Sequence, residues 1–168
     1  LSPSPLIQFL TIFFSGLLGV IIFRVSEETT GYTQINDIKI KFAFVLIIIF
    51  FTILFGLPIL VNWFGDPTIT IVDSFYRAGS LVFGGGHVVL PLLQTEIVSS
   101  GTVSNDAFLA GYGAAQAMPG PLFAFAAYLG VVSNSFPNGL LGGLIALLAI
   151  YLPSFLLVLG ILPFWYKL

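Results

Sequence analysis

The stretch FGGGHVV, residues 83–89, interrupts an apolar run with three consecutive glycines and the only histidine of the chain. Glycine is a poor helix former, and histidine is costly in hydrocarbon unless it has a polar partner. A second interruption, MPGP at residues 118–121, follows in the next apolar stretch. We therefore expect two neighbouring helices to be broken near their middles, which presents free backbone N–H groups to an anion.

The composition of the 168-residue chain is that of an integral membrane protein. Hydrophobic residues make up 58% and charged residues only 7%, against about 25% charged residues in soluble domains. The absence of cysteine excludes disulfides and thiolate metal sites. Nothing in the sequence predicts a metal or a cofactor, and no basic stripe indicates a nucleic-acid partner. We expect an all-α transmembrane helix bundle in a lipid bilayer, with two adjacent discontinuous helical segments.

The hydropathy pattern predicts a single membrane domain, residues 1–168. Its predicted elements are a span at 6–23, a polar loop at 24–41, a span at 42–64, a broken segment at 68–98, another at 106–132 and a last span at 139–161. Two geometries fit the broken segments: discontinuous helices that cross the bilayer, or re-entrant hairpins. Three of the five Lys and Arg residues lie in the polar loop, which favours a cytoplasmic position for it.

Polar residues near the two interruptions are the candidates for binding an anion. Arg77 lies seven residues before Gly84, about two helical turns, so it shares a face with the first break. Asp73 lies four residues before Arg77, and the two side chains can form an ion pair within the membrane. Arg77 either attracts an anion to the glycines or serves only as a structural partner of Asp73. His87 either donates to the anion or binds a neighbouring carbonyl.

The second interruption offers an amide and a proline–glycine turn. Gln116 lies three residues before Pro119, and an amide can donate hydrogen bonds to an anion without adding charge. Glu96 either couples transport to a proton or is an interfacial carboxylate, and Asp73 is the second coupling candidate. The predicted substrate-binding residues are Gly84, Gly85, Gly86, His87, Arg77, Gln116, Pro119, Gly120 and Pro121.

The order of these motifs resembles the chromate ion transporter family, and in particular the carboxy-terminal of its two related halves. The resemblance is carried by FGGGHVVLPLLQTEIV at 83–98, FLAGYGAAQAMPGPLFAFAAYLG at 108–130 and LPSFLL at 152–157. It implies a multi-pass carrier of the plasma membrane that exports chromate, with sulfate as the close competitor. It also implies a second homologous half, in the same chain or as a dimer partner. Family members often have an aromatic residue in place of His87.

Two other classes of function fit parts of the sequence. An anion channel with re-entrant filter loops fits the two breaks. An intramembrane hydrolase that uses Ser80 and His87 has little support, because the chain lacks HExxH and GxSxG motifs. The chain also lacks a G-x-x-x-x-G-K-[ST] nucleotide-binding motif. We therefore expect a secondary transporter and no enzymatic activity.

Overall fold

The computed structural model describes residues 5–22, 40–82, 86–118 and 120–165. These residues form helices and no strand, which confirms the predicted all-α class. The α-helices are α1 (Pro5–Ile22), α2 (Ile40–Phe64), α3 (Pro67–Leu81), α4 (Gly86–Leu93), α5 (Asn105–Ala117), α6 (Phe125–Val131) and α7 (Gly139–Trp165). A π-helical segment, Gln94–Val98, continues α4, and a 3-10 turn, Leu122–Ala124, leads into α6.

The chain divides into two units, residues 1–35 and 36–168. The first contains α1, an apolar helix of 18 residues. The polar loop predicted at 24–41 lies outside the described residues except for its last two positions. All helices from α2 onward belong to the second unit.

Two of the described helices, α2 and α7, are long and apolar enough to cross a membrane. Only 11% of the most apolar stretch of α2 and 33% of that of α7 is buried inside the structure. Large apolar side chains such as Phe55 and Leu140 therefore face outward, where water would be unfavourable and lipid is a suitable neighbour. This exposure distinguishes the two helices from the core helices of a soluble protein.

Helices α2 and α7 pack antiparallel. The rings of Phe44 and Phe164 meet edge to face with centroids 6.2 Å apart. Further along, Gly160 faces Ala43 and Ile47, and Leu156 belongs to the same buried cluster as Phe50. This register brings the end of α2 close to the beginning of α7. Helix α7 continues without interruption through the buried Pro153.

A two-residue turn reverses the chain between α2 and α3. Gly65 has φ 59°, a left-handed conformation that favours glycine. Asp66 caps α3 by accepting hydrogen bonds from the N–H groups of Thr68 (2.7 Å) and Ile69 (3.3 Å), and these bonds lower the pKa of its carboxyl group. Beyond the turn, the buried Tyr76 hydroxyl donates to the carbonyl of Phe50 across the α2–α3 pair, at 3.0 Å.

The connections 99–104 and 132–138 lie side by side. The N–H of Asn134 donates to the carbonyl of Thr102 at 2.8 Å, and its side-chain amide donates to the carbonyl of Gly101 at 3.1 Å. Because α7 begins directly after 132–138 and α2 ends nearby, residues 65–66, 99–104 and 132–138 share one end of the bundle. We call this the loop end.

Helices α5 and α6 form an antiparallel hairpin. Ser104 caps α5 by accepting from the N–H of Ala107 at 3.3 Å. The Tyr128 hydroxyl reaches back from α6 to the carbonyl of Ala107 at 3.1 Å, and the rings of Phe108 and Phe125 meet edge to face. The hairpin therefore begins and ends at the loop end. Helix α3 starts at the loop end, and the segment 86–98 finishes there. Because α3 also contacts both α4 and the π-helical segment, α3 and 86–98 form the other hairpin.

Both hairpins reach only to the middle of α7. Near the end of α3, Gly79 packs against the carbonyl of Ile150. At the start of the second half of the other hairpin, the Phe123 ring lies 5.7 Å from the Tyr151 ring. Residues 150 and 151 are close to the centre of α7, which is 27 residues long. Of the two geometries that the sequence left open, this arrangement favours re-entrant hairpins.

The contact between Gly79 and Ile150 is too close to admit a side chain, which generates a stability prediction. Gly79→Ala places a Cβ against a backbone carbonyl that cannot move alone, so we expect a loss of about 1–3 kcal/mol in unfolding free energy. Gly56→Ala in α2 is the matched control, because a Cβ there meets nothing within 4 Å. Thermal unfolding in detergent measures both. Equal unfolding temperatures for the two variants would contradict this packing.

Candidate functional site

The residue that follows the first helix of each hairpin has extended backbone. Val82 follows α3 with φ −77° and ψ 111°, and Met118 follows α5 with φ −91° and ψ 132°. Residues 83–85 and Pro119 lie outside the described residues, so the structure says nothing of Gly84 and Gly85. Helices that stop in this way leave their last carbonyls and the first N–H groups of the next helix without intrahelical partners.

The second halves of the two hairpins contact each other. Helix α4, which starts at Gly86, contacts the 3-10 turn Leu122–Ala124, which starts the second half of the other hairpin. Pro121 is the residue that caps this turn, with φ −68° and ψ 129°. The N–H of Ala124 donates to the Pro121 carbonyl at 2.9 Å and closes this turn. We call residues 82, 86, 118 and 120–121 the hairpin tips.

A partly buried ion pair lies on α3, the helix that leads to the first tip. A terminal guanidinium nitrogen of Arg77 contacts a carboxylate oxygen of Asp73, one helical turn away. Asp73 is buried, whereas about a third of the Arg77 side chain is exposed. The Arg77 Nε atom is also buried and lacks a hydrogen-bond partner in the described structure. Arg77 is two residues before Gly79, so its charge lies near mid-depth of α7, where an ionisable group is expensive.

Two other predicted site residues lie apart from this pair. The backbone of His87 is in the first turn of α4, and its side chain lies outside the described residues. Glu96 is half-buried in the π-helical segment, ten residues and about 15 Å of helix from Gly86, toward the loop end. The structure therefore does not bring Glu96 to the tips. Single π-helical turns often accompany functional sites.

Gln116 lies in the last turn of α5 and is exposed. Its side-chain nitrogen donates to the Tyr112 hydroxyl at 2.7 Å, and this hydrogen bond fixes the two side chains relative to each other along one face of α5. The Tyr112 O–H group, which accepts this bond, keeps its own proton as a donor. The sequence predicted a role for Gln116 without its partner, although the four-residue spacing of a tyrosine and a glutamine was a readable signal.

A cavity of about 340 Å³ opens between α5 and α6 below the second tip. It is lined mainly by small and apolar residues, among them Gly111, Ala114, Met118, Gly120, Pro121 and Tyr128. Two predicted site residues, Gly120 and Pro121, thus share one cavity. A Cβ on Gly111 would overlap the ring of Tyr128, so this glycine allows the two helices to meet. Among the described residues, no group of three His, Cys, Asp or Glu side chains could hold a metal ion.

The fold and these contacts define a helical membrane protein in which two helical hairpins pack against one long apolar helix. A sequence model described as Chromate transporter matches residues 69–168, which include all of this region except the start of α3. The chain therefore belongs to the chromate transporter family. No solved structure matches the chain significantly.

Several relatives align with parts of the chain. A probable chromate transport protein of Synechococcus elongatus is 29% identical over 119 residues, or 67% of this chain and 29% of that protein. A chromate transport protein of Pseudomonas aeruginosa is 31% identical over 85 residues, or 51% of this chain and 20% of that protein. An uncharacterized transporter of Bacillus subtilis, YwrB, is 39% identical over 97 residues, covering 56% of this chain and 47% of YwrB. The matched region is thus less than half the length of each relative.

The ion pair on α3 generates a prediction about stability. Asp73→Asn leaves the Arg77 charge without its partner, so we expect a loss of about 1.5–3 kcal/mol in unfolding free energy. The double variant Asp73→Asn/Arg77→Gln removes both charges and should recover much of that loss. Thermal unfolding of the single and double variants in detergent completes the cycle. Additive losses in the double variant would mean that the pair contributes nothing as a pair.

Proposed function

We propose that the chain is one half of a secondary transporter that exports a tetrahedral oxyanion, with chromate as the first candidate and sulfate as the close competitor. Membership of the chromate transporter family supports an anion substrate. The names of the Synechococcus and Pseudomonas relatives support chromate among the anions. The single observation that supports a central binding site is the contact of α4 with the 3-10 turn Leu122–Ala124 near the middle of α7, beside the helix that carries the Asp73–Arg77 pair.

The proposed site combines backbone donors with one cation. Free N–H groups at the start of α4 and of the 122–131 helix supply partial positive charge to an anion. The glycines at 84–86 and Gly120, between prolines 119 and 121, have no side chain to block its approach. Arg77 supplies the full charge, and Asp73 competes for it when the site is empty. His87 and Gln116 are additional donors in this proposal.

Oxyanions of one shape are difficult to separate in such a site. Chromate and sulfate are both doubly negative and tetrahedral, and N–H donors recognise charge and oxygen positions. We therefore expect both to bind. The choice between them depends on small differences in size and on the second half of the transporter.

The working unit in this proposal contains two homologous halves. The matched region covers 29% of the Synechococcus relative and 20% of the Pseudomonas relative, so those proteins hold much more chain than one such half. The partner half is either in the same chain or a second copy. The two halves would alternate access to the tips from either side of the plasma membrane, which the chain crosses several times. Glu96 and Asp73 are the residues proposed to couple this movement to a proton.

An anion channel is the second candidate, and the re-entrant geometry of the two hairpins favours it. Selectivity filters of channels are commonly built from backbone that enters the membrane and returns. Flux separates the two functions. A carrier saturates with substrate and responds to substrate on the opposite side, whereas a channel shows neither behaviour.

The proposed role of Arg77 can be tested by oxyanion uptake in proteoliposomes, with chromate and sulfate measured separately and with or without a pH gradient. Loss of a charge-assisted hydrogen bond should raise the half-saturating concentration for Arg77→Gln by about tenfold or more. The increase should be largest at low ionic strength, because salt screens the remaining electrostatic attraction. Arg77→Lys keeps the charge, so its half-saturating concentration should lie between those of the wild type and Arg77→Gln.

Two controls separate this role from a structural one. Asp73→Asn/Arg77→Gln restores charge balance, so it should fold well and still bind oxyanion poorly. Gln94→Ala changes an exposed amide near the loop end that contacts Asn105, and it should transport normally. If Arg77→Gln binds oxyanion as tightly as the wild type at low ionic strength, the role of Arg77 is only structural.

A further inference from the structure

The outward surface of α5 differs from the surfaces of the spanning helices. In α2 and α7 the exposed side chains are mostly large and apolar, as expected next to lipid. In α5 one large apolar side chain, Leu109, is exposed. The rest of its exposed surface is polar or small, with Asp106, Ala110, Gly113 and Ala117 in a line along the helix. We call the line from Ala110 to Ala117, together with Gln116, the α5 face.

The exposed amide of Gln116 cannot face hydrocarbon without cost. It lies one residue before the end of α5, which is 13 residues long. This is about 16 Å of helix from the loop end, near the middle of α7. One of its N–H groups is bound to Tyr112, and the remaining polar atoms need water or protein. An unsatisfied amide in an apolar medium costs several kcal/mol, so lipid is excluded as its neighbour.

The α5 face is continuous with aqueous surroundings at one end and with the tip cavity at the other. Near the loop end, the charge of Asp106 and the Gln94–Asn105 hydrogen bond are exposed. At the tip, Ala114 and Met118 are both exposed and line the 340 Å³ cavity. Apart from Leu109, a polar or small surface thus leads along α5 from the loop end to the tip cavity, which Met118 borders.

We propose that the α5 face is the wall of a water-filled path along which the oxyanion moves between the loop end and the hairpin tips. The Tyr112–Gln116 pair is the donor station on this path, because Tyr112 keeps an O–H and Gln116 a second N–H to offer to an anion. Small side chains at 110, 113 and 117 leave room for a hydrated ion. This inference rests on the proposed oxyanion transport and specifies the route to its site.

The natural absence of cysteine makes the path directly testable. Ala110→Cys, Gly113→Cys and Ala117→Cys each place one thiol on the α5 face of the full chain in membranes. A Cβ at Gly113 meets nothing within 4 Å, so the cysteine fits there. The probe is a methanethiosulfonate that carries a sulfonate, which is an anion that does not enter lipid. It is added to intact cells and to inverted vesicles, so that either side is reached.

The matched controls are Leu144→Cys, Leu148→Cys and Leu152→Cys, which are exposed positions on α7. They lie about 8, 14 and 20 Å of helix from its start, close to the depths of the three positions on α5. We expect the α5 thiols to react at least about tenfold faster than the α7 thiols, because only water carries the sulfonate to them. Total thiol, measured after denaturation in detergent, corrects for expression and folding.

Bound substrate adds a second readout. Sulfate should slow the reaction at Ala117→Cys, next to the tips, more than at Ala110→Cys. Sulfate is used because chromate oxidises thiols. Tyr112→Phe, which removes the hydroxyl and frees Gln116, should raise the half-saturating sulfate concentration while leaving the labelling of Gly113→Cys unchanged.

Each outcome decides between the possibilities. Equal labelling rates on α5 and α7 would overturn the path. Slow labelling of α5 with efficient oxidative cross-linking between two copies would also overturn it, because a second half then covers the α5 face. Fast labelling of α5 without sulfate or chromate flux would contradict the proposed function, and the face would remain a water-exposed surface. Flux without labelling would leave transport intact and require another route.

Discussion

Close contact between backbones along α7 is the constraint on which this architecture depends. Gly79 meets the carbonyl of Ile150, Gly143 meets that of Ala127, and Gly160 lies against α2. In lipid the hydrophobic effect does not drive helices together, so close packing and hydrogen bonds must do so. Glycine allows this approach because it has no side chain between the helices. Helix α7 thereby holds α2, α3 and α6, and both hairpins keep their depth relative to one spanning helix.

A hairpin that turns at mid-depth must satisfy backbone groups that a continuous helix would satisfy by itself. Each free N–H or C=O costs several kcal/mol in hydrocarbon, so the turns are tolerated only against protein or water. The two hairpins meet this requirement together, because α4 contacts the 122–124 turn. The same polar groups that make one tip unfavourable in lipid make two adjacent tips suitable for an anion. Stability and the proposed binding site thus arise from one arrangement.

Local sequence signals predicted the parts of the fold whose partners are close in sequence. The Asp73–Arg77 pair spans one helical turn, and the Ser104 cap is set by its own helix, so both were readable. Glycine and proline indicated where the broken segments turn. The depth of the turns was not readable, because it depends on distant pairs such as Asn134 with Thr102 and Phe123 with Tyr151. The separation of Glu96 from the tips, in contrast, follows from its position twelve residues after Gly84, near the end of its predicted segment.

The Asp73–Arg77 contact keeps the guanidinium charge paired when no anion is bound. The guanidinium has two edges that can grip an anion, and one is the Nε–Nη2 edge. Asp73 occupies Nη2, the terminal nitrogen of that same edge, while the buried Nε has no partner among the described residues. In the proposed mechanism, the Arg77 side chain turns to expose Nε, and an arriving oxyanion binds it before Asp73 leaves, because a tetrahedral anion presents several oxygens. Exchange of one anion for another then never leaves the cation unpaired within the membrane, which keeps the barrier to substrate entry low. A lysine cannot offer this stepwise exchange in the same way, since its ammonium is a single point of charge.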